Sequence, residues 1–462
     1  MNVKFYTRIL VLFMLFFFKV SFANNLSIGE VTLINDSTLS FDVSWENSWR
    51  TDSPPYNHDA VWLFVKKRDC GSFQWSHTDL SPVAAAHSAA APLEIYIDGR
   101  DASSNAKGLF VRRSAVGSGN ISNTTVTLRV RNLPAGLYDF KVFGIEMVQI
   151  PQGSFYLGDG ISTRSFRSGT AGSNPYFVSS EAAISTSSLQ SLSSTSNPVA
   201  LPLAYPKGYK EIYCMKYELT QGQYVEFLNT IASDQASSRY ITPIPTQRLT
   251  ITGVWPTYSA THPHRAMSNM LFDDLLAYLD WSALRPMTEL EFEKIARGPS
   301  TPVQKEYAWG TPLIVNVTTL VTDGTATESA SNPIAPAHGI ANYSGGPNGP
   351  MRVGFAGKPG NNRHQSGASY YGVMDLSGNV AESVVGTRTT AASGFTGVLG
   401  DGEISTTPTP GLSNVTGWSN VARMARGGSY AEGIALLSIS DRTRYGYNNE
   451  SKYAYLGGRG VR

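Results

Sequence analysis

Between residues 24 and 144 apolar and polar positions alternate in short runs. Leu39, Phe41, Val43 and Trp45 fall on one side of a run whose other side is Ser40, Asp42 and Ser44. Val126–Val130 and Tyr138–Phe143 continue the alternation. Val31–Ile34, Ala60–Val65, Leu93–Ile97 and Leu109–Val111 are short and rich in β-branched or aromatic residues. A period of two marks a strand with one buried face. The breaks carry turn formers: Asn35-Asp36, Pro54-Pro55, Asp98-Gly99 and Pro134-Ala135-Gly136. Seven such strands predict an N-terminal all-β sandwich over residues 24–144.

From residue 145 the period changes. Lys210–Met215 reads as a strand, and Thr220 then opens a helix with a capping box to Gln223. Tyr224, Phe227, Leu228 and Ile231 follow at helical spacing, so one face is buried. A second helix is predicted over 272–281, with Asp273 and Asp274 favouring its N-terminus. A third opens at Thr288, again with a capping box, to Glu291, and stops at Gly298-Pro299. Residues 161–197 are poor in large apolar residues and heavy in Ser and Thr, which reads as an exposed insertion.

Composition narrows the function classes. The chain has 462 residues, room for two or three domains, and a net charge of +2 that offers nothing to nucleic acid. Residues 1–23 read as a signal peptide: Lys4 and Arg8, the apolar run Ile9–Phe18, then Ser21-Phe22-Ala23 for cleavage. No later apolar run approaches membrane length, so the mature chain is expected to be exported without a transmembrane segment, to the periplasm, cell surface or medium. Two cysteines, Cys70 and Cys214, lie in different predicted domains, and whether they pair stays open. Trp45, Trp49, Trp62 and Trp75 either pack a core or form a platform for sugar rings. His262 and His264 have no third metal-ligating residue beside them and read as loop residues.

One stretch concentrates candidate chemistry. Gly372–Glu382 carries Asp375, then Gly378 and Asn379, which tolerate a tight bend, then Glu382. Two carboxylates around a bend with free carbonyls suit a hard cation such as calcium, though a polar turn has the same composition. Four further segments accompany it in order: Met147–Phe155, Lys216–Tyr224, Leu284–Glu293 with Tyr307–Gly310, and Arg426–Tyr430 with Gly457–Arg462. Together, over about 145–462, they resemble the formylglycine-generating enzyme, or sulfatase-modifying factor, family. The resemblance implies a mixed α/β, loop-rich domain related to C-type lectins.

What the resemblance implies chemically can be tested position by position. Active relatives oxidise a substrate cysteine to formylglycine with two copper-binding cysteines shortly after the Gly427–Tyr430 segment; soft thiolates select Cu(I). Here those positions are Glu432 and Leu437, so copper is not expected. A second branch of the family uses a histidine triad for iron, and no such cluster is present. The family pattern puts a structural calcium on Asp375, Gly378, Val380 and Glu382. It begins a second site at Asn342 and Tyr343, whose usual acidic partner would fall in Gly345–Pro350, where there is none. Arg442, Arg444, Arg459 and Arg462 are expected to pair with carboxylates such as Glu289 and Glu293.

These readings converge on an exported bacterial protein of the sulfatase-modifying-factor type. We expect a non-catalytic binding or surface-structural module, with a glycan or a surface protein as partner. The alternative is an enzyme with altered chemistry in the same cleft, for which Glu432 is the one catalytic candidate.

Overall fold

The computed structural model describes residues 25–101, 105–444 and 452–462. The expected signal peptide lies outside them. The elements that build the molecule begin with β1 (Thr38–Arg50), β2 (Asp59–Asp69), β3 (Leu93–Tyr96), β4 (Leu109–Arg113) and β5 (Gly117–Arg129). Next come β6 (Tyr138–Ile150), β7 (Ile212–Met215), α1 (Gln221–Leu228), α2 (Phe272–Trp281), β8 (Arg285–Pro286) and α3 (Glu289–Arg297). The last are β9 (Ala381–Val385), β10 (Arg423–Arg426), β11 (Leu456–Gly457) and β12 (Gly460–Val461).

A five-stranded sheet centres on β1 and β5. It packs against a sheet of eight strands ordered β8-β12-β7-β6-β2-β4-β3, with Ser76–Thr78 also paired to β2. Leu39, Phe41, Val43 and Trp45 of β1 meet Val61, Leu63 and Val65 of β2 in the sandwich core. The alternate residues of β2, Ala60, Trp62 and Phe64, point the other way, into a core shared with α1 and α2. The continuous apolar run Ala60–Val65 therefore reflects a strand buried on both faces. An N-terminal all-β sandwich is followed by a mixed, loop-rich α/β domain, and the two share one sheet.

The predicted boundary at 144/145 falls inside β6. That strand pairs with β2 from Tyr138 to Val148 and with β7 at its end, Met147 to Met215 and Ile150 to Ile212. Both capping boxes form: Thr220 Oγ1 accepts from Gln223 N at 3.1 Å, and Thr288 Oγ1 from Glu291 N at 3.2 Å. Residues 161–197 are more ordered than the Ser/Thr content implied. Phe166–Ser168 pairs with Leu189–Ser191, and Phe166, Ile184 and Leu189 are buried. Among the described residues no helix is long and apolar enough to cross a membrane.

Of the four tryptophans, Trp45 and Trp62 are core residues. Trp75 lies under the Arg68 guanidinium, 4.7 Å from its ring centroid. Trp49 is half-buried at the junction of sandwich and domain. Cys70 is exposed and Cys214 buried, and they are not bridged.

Candidate functional site

The bend at 375–382 forms as its residue types dictate. Asp375, Gly378 and Asn379 all adopt left-handed backbone, with φ of 61°, 91° and 62°. Asn379 staples the bend down. Its N–H donates to Asn342 O (2.9 Å), its Oδ1 accepts from Met351 N (2.8 Å), and its Nδ2 donates to Glu218 Oε2 (2.5 Å). Val380 N donates to the other oxygen of Glu218 at 3.0 Å. Glu218 is fully buried and faces Asp375; burial first, and then the Asp375 charge, push its carboxyl well above the usual range.

Glu382 is oriented away from a cation role. Arg459 Nε lies 2.8 and 2.9 Å from its two oxygens, and Nη2 lies 2.6 Å from Oε1. The same guanidinium donates to Met215 O, Lys216 O and Met374 O, so its donors are spent. Burial raises the Glu382 carboxyl and Arg459 opposes that rise. A calcium ion bound by Glu382 together with Asp375, whose Oδ2 already accepts from Gly354 N at 2.5 Å, would have to displace the guanidinium. Asp375, Gly378, Val380 and Glu382 as placed therefore do not fit a calcium ion.

The neighbouring cradle fits a ligand better. Asn342 is buried, its Nδ2 donates to Gly349 O (2.9 Å), and its Oδ1 has no partner. A Cβ placed on Gly346 would lie 2.6 Å from that oxygen, 2.9 Å from Asn316 Oδ1 and 3.1 Å from Tyr343 O. Of these oxygens Tyr343 O already accepts from Gly346 N (2.9 Å) and Asn316 Oδ1 from Tyr343 N (3.2 Å), which leaves Asn342 Oδ1 as the one open acceptor, a place for a water or a weakly held cation. Asn316 had no signal in the sequence, because it lies in a separate strand twenty-six residues before Asn342.

The two positions at which the resemblance leads one to expect thiolates, Glu432 and Leu437, are closed. After β10, Gly427 and Gly428 take φ of 82° and 63°. A Cβ on Gly428 would sit 2.7 Å from Leu437 Cδ1, so this turn needs glycine. Leu437 is fully buried with Tyr307, Trp309 and Ala341. Glu432 is buried, accepts from Ser429 Oγ at 3.1 Å and pairs with Arg444. Burial raises its carboxyl and Arg444 opposes that.

The remaining arginines pair as follows. Arg442 holds Glu289 (2.8 Å), and Arg426 holds Glu293 (2.5 Å) and Glu289 (3.3 Å). Arg462 reaches back to Asp98 (2.8 Å) and Asp101 (2.7 Å) of the sandwich. His262 Nδ1 lies 2.8 Å from Gly324 O, and the described residues contain no group of three or more His, Cys, Asp or Glu placed to hold a metal.

A second junction forms around Lys216, which composition did not flag. Its ammonium lies 3.1 Å from Glu146 and 3.7 Å from Asp59, and all three side chains are buried. Asp59 also accepts from Trp45 Nε1 (2.9 Å), Ser48 Oγ (2.8 Å) and Trp49 N (2.9 Å). Beside it a cleft of about 300 Å³ opens, lined by Trp49, Lys216, Tyr217, Lys358, Asn361 and Met374 among others.

Comparison with known proteins places this geometry. The sulfatase-modifying factor enzyme 1-like domain profile matches residues 141–462, well over half the chain. No protein of curated function matches. Among solved structures the chain aligns with Treponema denticola variable protein 1 at 15% identity, covering 69% of this chain and 95% of that one with a TM-score of 0.33. The profile match, over the segments that build the bend, the glycine turn and the arginine–glutamate pairs, makes the chain a member of the sulfatase-modifying factor family.

Proposed function

We propose that this chain is an exported binding or surface-structural module that does not generate formylglycine. The observation that carries the reading is the pair Glu432 and Leu437 where active relatives hold copper with thiolates. Leu437 is sealed in a core and Glu432 is committed to Arg444 and Ser429. Neither cysteine of the chain replaces them. Cys214 is buried on β7 with its thiol pushed up by burial, and Cys70 lies at the far end of β2.

A structural cation belongs to the same reading. Calcium is the ion that the family pattern implies, and the unpartnered Asn342 Oδ1 is the oxygen most available to it, with Asn316 Oδ1 and Tyr343 O, each already accepting a hydrogen bond, beside it. With only neutral donors, affinity should be weak. Melting the protein with and without chelator, and with millimolar calcium, tests this. A calcium-dependent rise in Tm that Asn342→Leu removes supports the cradle. A rise that survives Asn342→Leu but is lost in Asp375→Asn instead supports the bend. The export reading is tested by expressing the full gene product and sequencing the mature N-terminus; cleavage after Ala23 is expected.

A further inference from the structure

The cleft at the Lys216 junction lies where Asn47 and Trp49 of β1, outside the profile-matched region, meet Lys216, Tyr217 and Met374 inside it. It is therefore a feature of this two-part architecture. Its floor is Trp49, Tyr217 and Met374. The indole is fixed in place: Nε1 donates to Asn57 Oδ1 (3.1 Å), and Gly372 packs so closely that a Cβ there would lie 2.9 Å from Cζ2. The Lys216 ammonium lies over the ring, 5.0 Å from its centroid, and the partly exposed remainder of this held indole is a stacking surface that loses little entropy on binding.

The charges in the cleft are unequal. Lys216 is neutralised by Glu146 and Asp59. Lys358 donates to the Ala330 carbonyl and makes no ion pair with a described carboxylate; burial first, and then the nearby Arg352 cation, pull its ammonium below the usual lysine range. The cleft thus holds one positive charge with no carboxylate against it among the described residues. Around it the rim is polar. Asn361 Nδ2 donates to Ala356 O at 3.0 Å, which leaves the side-chain oxygen as an acceptor, and Ser366 also lines the wall. The volume sits at the low end of the ~300–1,000 Å³ of small-molecule sites, enough for about one ring.

We propose that this cleft binds one acidic sugar ring, a hexuronate residue of a glycan, with the ring against Trp49 and the carboxylate on Lys358. The aromatic floor takes the apolar face of the ring, the amide and hydroxyl rim takes its hydroxyls, and the unpaired lysine selects the acid over the neutral sugar. The inference rests on the binding reading above and names its ligand class.

The test is a calorimetric and indole-fluorescence titration of the full mature chain with digalacturonate and with its neutral digalactose counterpart. Binding of the acidic disaccharide at least tenfold tighter than the neutral one, with a change in indole emission, is expected. Lys358→Ala should remove that tenfold preference at unchanged Tm, and Trp49→Phe should weaken both sugars together. Equal affinities, a preference unchanged in Lys358→Ala, binding of benzoate but neither sugar, or no binding at all would each overturn the proposal. None of these would touch the non-redox reading, which falls only if the chain converts a cysteine peptide to an aldehyde.

Discussion

Glu382 shows what a residue's own chemistry does and does not settle. Its place beside a bend made it a cation ligand on paper, yet the structure gives its carboxylate to Arg459, 77 residues later. That partner arrives through the pairing of β12 with β7, a long-range fact with no local signal in the sequence. Removing one member of a buried pair leaves the other uncompensated, so Arg459→Met should cost about 3–5 kcal/mol in urea denaturation. The double variant Glu382→Leu/Arg459→Met should recover much of that loss. Asp280 makes a separate prediction. Burial pushes its carboxyl from 3.8 up to about 7, against hydrogen bonds from Ser413 and the Asp401 and Asn414 amides. The folded state then binds more protons than the unfolded chain between those values, so this group makes stability fall as pH rises from about 4 to 7. Melting Asp280→Asn across that range should show a shallower decline than the parent.

At the scale of elements the sequence was most readable where the signal is local. All seven sandwich strands form near their expected positions, and α1, α2 and α3 start where their first turns said. Capping boxes span four residues, so the sequence alone contains the whole interaction. Loss of the cap in Thr288→Ala should destabilise by about 1 kcal/mol, read by chemical denaturation, and Thr288→Ser should restore most of it. The segment 161–197 was less readable. Its short strands are stabilised by Phe166 packing against Arg442, 3.9 Å from the ring centroid, far away in sequence. The length of β6 was hidden for a related reason: its last residues, Met147–Ile150, pair with β7, which periodicity cannot reveal.

At the scale of the whole molecule, the eight-stranded sheet is the common wall of sandwich and family domain. Trp62 crosses it, with Nε1 donating to Ser282 O (2.9 Å) and the Arg462 guanidinium 3.9 Å from its ring centroid. Trp62→Ala should cost about 3–5 kcal/mol and lower the melting of both parts together. Far-UV circular dichroism and intrinsic fluorescence should report one coincident transition in the parent chain; two separated transitions would contradict a shared core. The chain belongs to the family, while Leu437 is taken up in packing and Glu432 in an ion pair with Arg444, the two positions where the resemblance leads one to expect thiolates. The measurement that tests this most directly is to load the purified chain with Cu(I), quantify bound metal, and incubate it with a cysteine-containing sulfatase peptide in air. We expect no stoichiometric copper and no aldehyde on the peptide. About one copper per chain together with aldehyde formation would contradict the account.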